Sequence, residues 1–434
     1  MSEAKFGLVI GLIWLAVTML DPSDAHADIE LKVDRFFDPC IDESTNIEQA
    51  NGEACIVQSI FSAFSTADNG ITVDLLPPQR DNYYPRLITA YANGAPPDIH
   101  LLHRHRLPDF AAAGLLAPLR EDLSGAGVDI DDWQQAAVDA ATIDDQIVAV
   151  PFDLHANLWH INLSLLSEAG LIGNDGRPAL PASPGELLQH AKLVKEATGK
   201  SYIAADFVQY PIGVRSVLSL LWQQGENIFD GGEALVDSAQ MRAAITTFTD
   251  LFDAGFANPA HNYEAAQQAF LDGEVAILIN GTWAVDLYDQ MVSRGEVSLN
   301  EYDVTDFPTL FDSPATWADS HLWAIPLSLK TERPEAYDAA MQLLSWLNDH
   351  NFDWARTGHL AVRMSVLESD AYATLSHRLD YRRSADFGRD LPVTNGYDEI
   401  HDVMTKCLQE IWLDGAPLDD ALARAEVGIQ RLLQ

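Results

Sequence analysis

Short apolar runs recur along this chain, with helical patterns between them, and this alternation most constrains the fold. The runs are "IELKVDRFF" (29–37), "ITVDLL" (71–76), "DIHLL" (98–102), "QIVAVPF" (146–152), "EVAILIN" (274–280) and "LWAIPL" (322–327). Read as strands separated by helices, they give an α/β fold. The core of one run, "AILI", is wholly apolar, as a strand covered on both faces must be.

The helical segments carry their own signals. In "DSAQMRAAITTFTDLFDAG", Met241, Ile245, Phe248 and Phe252 recur at three- and four-residue spacing, and Gly255 can end the helix. "TERPEAYDAAMQLLSWL" is expected to start at Thr331 as N-cap, with Ala336, Ala340, Leu343 and Leu347 facing the core. A last helix carries Ala421, Ala425, Ile429 and Leu432 on one face. These stripes are core.

With 434 residues the chain has room for two or more domains. Its formal net charge is −39, which repels nucleic acid and anionic lipid. At the N-terminus, "FGLVIGLIWLAVTML" (6–20) follows Lys5 and precedes a small–x–small site at Ala25–His26–Ala27. The pattern is that of a secretory leader spanning 1–27 and cleaved after Ala27. Its apolar run is shorter than the roughly 20 residues of a membrane-spanning helix. The mature protein, from Asp28, is therefore expected to be exported and soluble. There are 3 cysteines. In an exported chain Cys40 and Cys55 are expected to bond, closing the polar loop "IDESTNIEQANGEA"; free thiols are the alternative. Cys407 lies in a helical pattern as a buried packing residue.

No catalytic motif is present: no GxSxG, HExxH, P-loop, CxxC or GxGxxG at a strand-to-helix turn. Acidic pairs such as Asp131–Asp132 and Asp144–Asp145 are expected by chance among 65 acids. The expectation is a protein that is not an enzyme and needs no cofactor. An exported glycan-active enzyme stays open as an alternative, because its two carboxylates need not be near in sequence.

Several segments, in order, resemble a known family. "AAQQAFLDGEVAILINGTWAVDLY" (265–288) is similar to the signature region of bacterial extracellular solute-binding proteins of family 1, the maltose-binding-protein-like sugar receptors of ABC importers. "YANGAPPDIHLLHRHRLPDFAAAGLLAPL", "DDQIVAVPFDLHANLWHINLSLLSEAGL", "ADSHLWAIPLSLKTERPEAYDAAMQLLSWL", "TGHLAVRMSVL" and "LDGAPLDDALARAEVGIQRLL" resemble further segments of that family. There are departures. "PASPGEL" (181–187) stands where the family has P-x-T-W-x-E, Ala361 replaces a proline, and the Cys40–Cys55 insertion is not general.

The resemblance implies two α/β lobes hinged by three crossing segments, near Asp153, His321 and Ala361. The implied lobes are 28–153 with 322–361 and 154–321 with 362–434. A sugar or glycoside would be captured between them in the periplasm by a monomer, which then docks on an inner-membrane permease. Sugars need flat apolar rings and fixed hydrogen-bonding groups. By position in the family pattern, Trp283 is the first candidate platform, with Trp323 and Trp222 weaker. His155 and Asp153 fall in the first crossing, Arg215 on the facing lobe and Arg363 in the third crossing. Tyr397, Phe36, Asp38, Asp81 and Asn82 are rim candidates. The arginines and histidines invite an anionic sugar as alternative ligand. A third reading keeps the fold with metal or polyamine as ligand.

The segment "DIHLLHRHRLPDF" (98–110) is read as a buried strand followed by polar residues at its C-terminal end, where ligands of open α/β sheets sit. The family pattern puts charged ligand contacts on His105 and Arg106; His103 and Arg104 are read as rim or surface. No metal site is read here, because His100 alternates away from its neighbours in an extended chain.

Overall fold

The computed structural model describes residues 29–40, 46–67, 69–78, 82–209, 211–392, 394 and 396–434. The expected leader and its cleavage site, and candidate Asp81, lie outside the described residues. Among these residues no helix is long and apolar enough to cross a membrane.

Two sheets organise the chain. The first has five strands in the order 71–75, 29–34, 99–103, 321–324, 150–151. Ile29–Asp34 runs parallel to Ile71–Leu75 and Ile99–His103, while His321–Ala324 runs antiparallel to Ile99–His103. Leu31, Val33, Ile99, Leu101 and Leu102 are buried in its core, covered by helices Gly52–Ser65 and Pro334–Asp349.

The second sheet centres on His155–Asn162 and Val275–Gly281, paired antiparallel. Ser201–Ala204 flanks the latter in parallel. Tyr302–Asp306 and Thr316–Asp319 share the other edge of His155–Asn162. The "AILI" strand is buried along its whole length, as expected for a strand covered on both faces. His155–Asn162 is equally buried, yet its sequence "HANLWHIN" shows neither alternation nor an apolar run. It pairs some of its buried polar groups, while the Asn157 amide finds no hydrogen-bond partner among the described residues. His160 Nδ1 lies 2.8 Å from the Tyr302 hydroxyl, and Asn162 Oδ1 accepts from the backbone N–H of Leu165.

Other expectations are corrected. "QIVAVPF" is split: Val150–Pro151 joins the first sheet, while Gln146–Ile147 folds back on Thr142–Ile143. The acidic pair Asp144–Asp145 makes that turn, with φ of 48° and 62°, the conformation of a tight two-residue hairpin. Thr331 is not an N-cap. It lies in the last turn of a separate helix, Leu327–Glu332, which stops because Arg333, preceding Pro334, is held out of helical geometry at φ −135°, ψ 65°. Ser238, which the sequence reading did not single out, caps helix Ala239–Asp253, its hydroxyl accepting from the N–H of Met241. Leu432 is exposed at the end of the last helix, whereas Ala421, Ala425 and Ile429 are buried.

The chain passes from the first sheet to the second between Pro151 and His155, and returns at Ser320, between Asp319 and His321. His321 is thus the first residue of a first-sheet strand. A third segment passes alongside: Leu154 and Leu360 exchange backbone hydrogen bonds of 3.0 and 2.9 Å.

Cys40 and Cys55 form a disulfide across 15 residues of sequence, tying the end of the first strand's loop to helix Gly52–Ser65. Cys407 is free and buried. A loop of this size predicts that removing the bond costs about 3 kcal/mol. The Cys40→Ser/Cys55→Ser double variant is therefore expected to unfold at clearly lower urea concentration than the wild type. Mild thiol reduction of the wild type should reproduce the shift.

Candidate functional site

Asp153 lies at the junction of the crossing segments and is fully buried. Its Oδ1 is 2.9 Å from His155 Nδ1 and accepts from the backbone N–H of His321 at 3.2 Å. Its Oδ2 is 2.7 Å from His321 Nδ1 and accepts from the Trp354 indole N–H at 2.6 Å. Burial alone would raise this carboxyl, but His321 and His359 hold it well below the usual carboxylate range. Burial also pushes His155 and His359 down, the latter to about 3. His321 goes the other way: burial pulls it down, but the charge and hydrogen bond of Asp153, together with the charges of Glu53 and Asp319, raise it.

Above this junction opens a cleft of about 530 Å³ between the two sheets' ends. One wall comes from the first sheet. Phe36, just after the first strand, stacks on His103 with ring centroids 4.5 Å apart and planes within 3°. The Tyr84 hydroxyl accepts from the His103 backbone N–H at 3.0 Å and lies 2.6 Å from its Nδ1, so it donates there. Burial, together with His321 and His105, keeps His103 well below its ordinary pKa and so uncharged.

The facing wall carries Trp283, Tyr263, Glu264, Arg215 and Trp317. The Trp283 indole donates to the Tyr263 hydroxyl at 2.9 Å, which donates on to Asn280 at 3.2 Å. The Gly–x–Trp pattern has a steric reason: a Cβ on Gly281 would lie 2.0 Å from the Trp283 ring. The Arg215 guanidinium stands 3.5 Å from the centre of the Trp317 ring, a cation–π contact. His155, His321, His359 and Glu53 complete the floor.

Of the residues proposed from sequence, Phe36, His155, Arg215 and Trp283 line this cleft, and Asp153 lies directly beneath it. The others are placed elsewhere. Trp323 is core, edge-on to Phe61 and Phe152, and Trp222 packs in the second lobe's core. Arg363 is taken up by Asp132 at 2.7 Å and Asp349 at 3.1 Å. Asp38 and Asn82 are exposed and line no part of the cleft. Tyr397 is buried behind Trp317, stacked between His105 and His401.

His105 and Arg106 are corrected most. His105 Nδ1 is 2.6 Å from Asp319, Arg106 pairs with Asp398, and Arg104 approaches Asp390 at 3.8 Å. These three join the first sheet's end to the second lobe. His103, read as rim, lines the cleft instead. Sequence reasoning missed Phe37, Glu53, Tyr83, Tyr84, Tyr263, Glu264, Trp317, His321 and His359. His321 stood in the quoted second crossing, with Trp317 just before it, and His359 in the third, but nothing local separates a cleft residue from a core one.

Two lobes joined by three crossing segments, with an aromatic cleft between them, define a hinged ligand-binding protein. Residues 59–378 match the model of the family described as "Bacterial extracellular solute-binding protein", and the chain belongs to that family. A candidate binding protein of Brucella abortus (strain 2308) is 22% identical over 400 residues, covering 86% of this chain and 90% of the relative. Among solved structures, maltose-bound T. maritima MalE3 superposes with a TM-score of 0.76 at 20% identity, covering 93% of this chain and 100% of that one. The GacH receptor of Streptomyces glaucescens, solved unliganded and with acarbose, gives a TM-score of 0.75 at 19% identity, over 93% and 98% of the two chains.

The lobe-to-lobe contacts contain one unfavourable group. Burial first, and then the neighbouring Asp319, push Asp390 up to about 6, against the relief given by Arg104, His105 and the Tyr397 hydroxyl. An acid whose folded pKa is raised binds more protons folded than unfolded between its two pKa values. Stability therefore falls as pH rises from about 4 to about 6. Asp390→Asn, which still accepts from Tyr397, is expected to be more stable than the wild type at pH 7, by on the order of 2 kcal/mol. The gain should vanish below pH 4, as urea denaturation at the two pH values would show. An equal effect at both would refute the assignment.

Proposed function

We propose that this protein is the exported receptor of an ABC importer, capturing a neutral sugar or glycoside between its lobes and delivering it to a membrane permease. The observation that carries this reading is the cleft itself. At about 530 Å³ it falls within the roughly 300–1,000 Å³ of small-molecule sites. Its flat faces, Trp283, Phe36 and Trp317, suit the apolar C–H faces of a sugar ring. Its fixed polar groups, Arg215, Tyr84 and the histidines, suit hydroxyls. The maltose and acarbose in the similar solved structures point to the same ligand class.

Glu53 and Glu264 also line the cleft and disfavour an anionic ligand, which sets the sugar-acid reading second. Further parts of the proposal are a mature periplasmic monomer beginning at Asp28, no nucleic-acid partner and no catalytic activity. The lobes we assign are 28–153 with 321–361, and 154–320 with 362–434.

The test is titration calorimetry of the mature protein against neutral oligosaccharides, including maltose and acarbose, and against uronic acids. One-to-one binding of a neutral saccharide is expected. Trp283→Ala should weaken it by about tenfold or more, the scale of one lost aromatic contact. Gly281→Ala should act in the same direction by displacing the indole. Absence of binding and of thermal stabilisation across the panel would overturn the reading.

A further inference from the structure

We propose that the hinge holds a divalent transition-metal ion of the zinc class between Asp153, His155, His321 and His359. Each of these residues offers one donor atom, and the four atoms lie within 4.8 Å of one another. From the Asp153 carboxylate oxygens the separations are 2.9 Å to His155 Nδ1, 2.7 Å to His321 Nδ1 and 3.8 Å to His359 Nε2. Tetrahedral zinc with bonds of about 2.0–2.1 Å keeps its donors about 3.3 Å apart, inside that spread. Imidazole with a carboxylate suits zinc and its neighbours rather than the all-oxygen sites of magnesium or calcium.

The decisive group is His359. The Thr357 hydroxyl donates to the Trp354 carbonyl at 2.6 Å, so its oxygen is left to accept from His359 Nδ1 at 2.7 Å. That places the ring's proton on Nδ1 and a lone pair on Nε2. His359 is fully buried, and Nε2 has no hydrogen-bond partner among the described residues. The lone pair points at two anionic groups: Asp153 at 3.8 Å and Glu53 at 3.5 Å. A lone pair aimed at carboxylates is repelled unless a cation lies between them. The surroundings are those of a ligand set, since Thr357 fixes the His359 tautomer and Trp354 with the His321 backbone fixes the carboxylate.

The four residues come from all three crossings, so the ion would clamp the hinge. His155, His321 and His359 also line the cleft, which gives the ion a route in.

The experiment uses the mature protein stripped with chelator, without any saccharide, so its failure leaves the sugar-receptor reading standing. Zinc is titrated against a fluorescent chelator, and cobalt is added as a spectroscopic probe. The expected result is one equivalent of zinc and the intense visible bands of tetrahedral cobalt. His359→Ala should abolish the bands and weaken zinc at least 100-fold. Thr357→Val keeps all four donors and should weaken zinc about 10–100-fold, the usual cost of losing an outer-shell partner. It guards against misfolding of the first variant. His377→Asn, which removes a different Asp–His group, should change nothing. No stoichiometric binding, or binding unchanged in both His359→Ala and Thr357→Val, would overturn the proposal in favour of a hydrogen-bonded network around Asp153 alone.

Discussion

A buried carboxylate with no water to solvate it costs several kcal/mol unless charge and hydrogen bonds replace the solvent. Asp153 is such a group, and its partners come from every segment that crosses between the lobes. His155 follows it into the second sheet, His321 enters the first sheet, and Trp354 and His359 flank the third crossing. Because each partner belongs to a different stretch of chain, satisfying one carboxylate fixes the relative positions of three. The cleft floor is the upper surface of that junction, so the geometry of the site follows from the electrostatics of the hinge.

A second set of contacts works at the cleft's edge. The basic segment Arg104–Arg106 is spent on Asp319, Asp390 and Asp398 of the other lobe. Such pairs add little where exposed, but the Asp319 and Asp390 side chains are buried, and each acid there must find a partner or remain protonated. In an acidic chain, basic residues gathered at one strand end serve first to bring two negatively charged lobes together. This explains why Arg104, His105 and Arg106, which stand out in the sequence, do not line the cleft.

The fold was legible because its signals are local. Strand 275–281 announces itself by an unbroken apolar run, helix 239–253 by periodicity and a terminal glycine, and the Cys40–Cys55 bond by compartment and spacing. The longest second-sheet strand, His155–Asn162, was not legible. Its histidines and Asn162 are made tolerable by partners as far away as Tyr302. Trp283 stood out by its place in the family's Gly–x–Trp pattern, and the structure supplies the steric reason for Gly281. Trp317, Trp323 and Trp222 could not be told apart, since all are buried tryptophans at strands or helices and only one of them faces the cleft.

The sequence by itself determined the α/β architecture, the order of its elements, the short disulfide loop and the family pattern, because hydrophobic periodicity, caps and glycine positions act over a few residues. Only the tertiary structure decided which side chains meet. Asp153, His155, His321 and His359 lie up to 206 residues apart in a chain of 434, and their convergence is set by how two sheets pack around a hinge. No local pattern encodes that distance, so the cleft floor and the direction in which His359 points its lone pair exist only in the folded molecule.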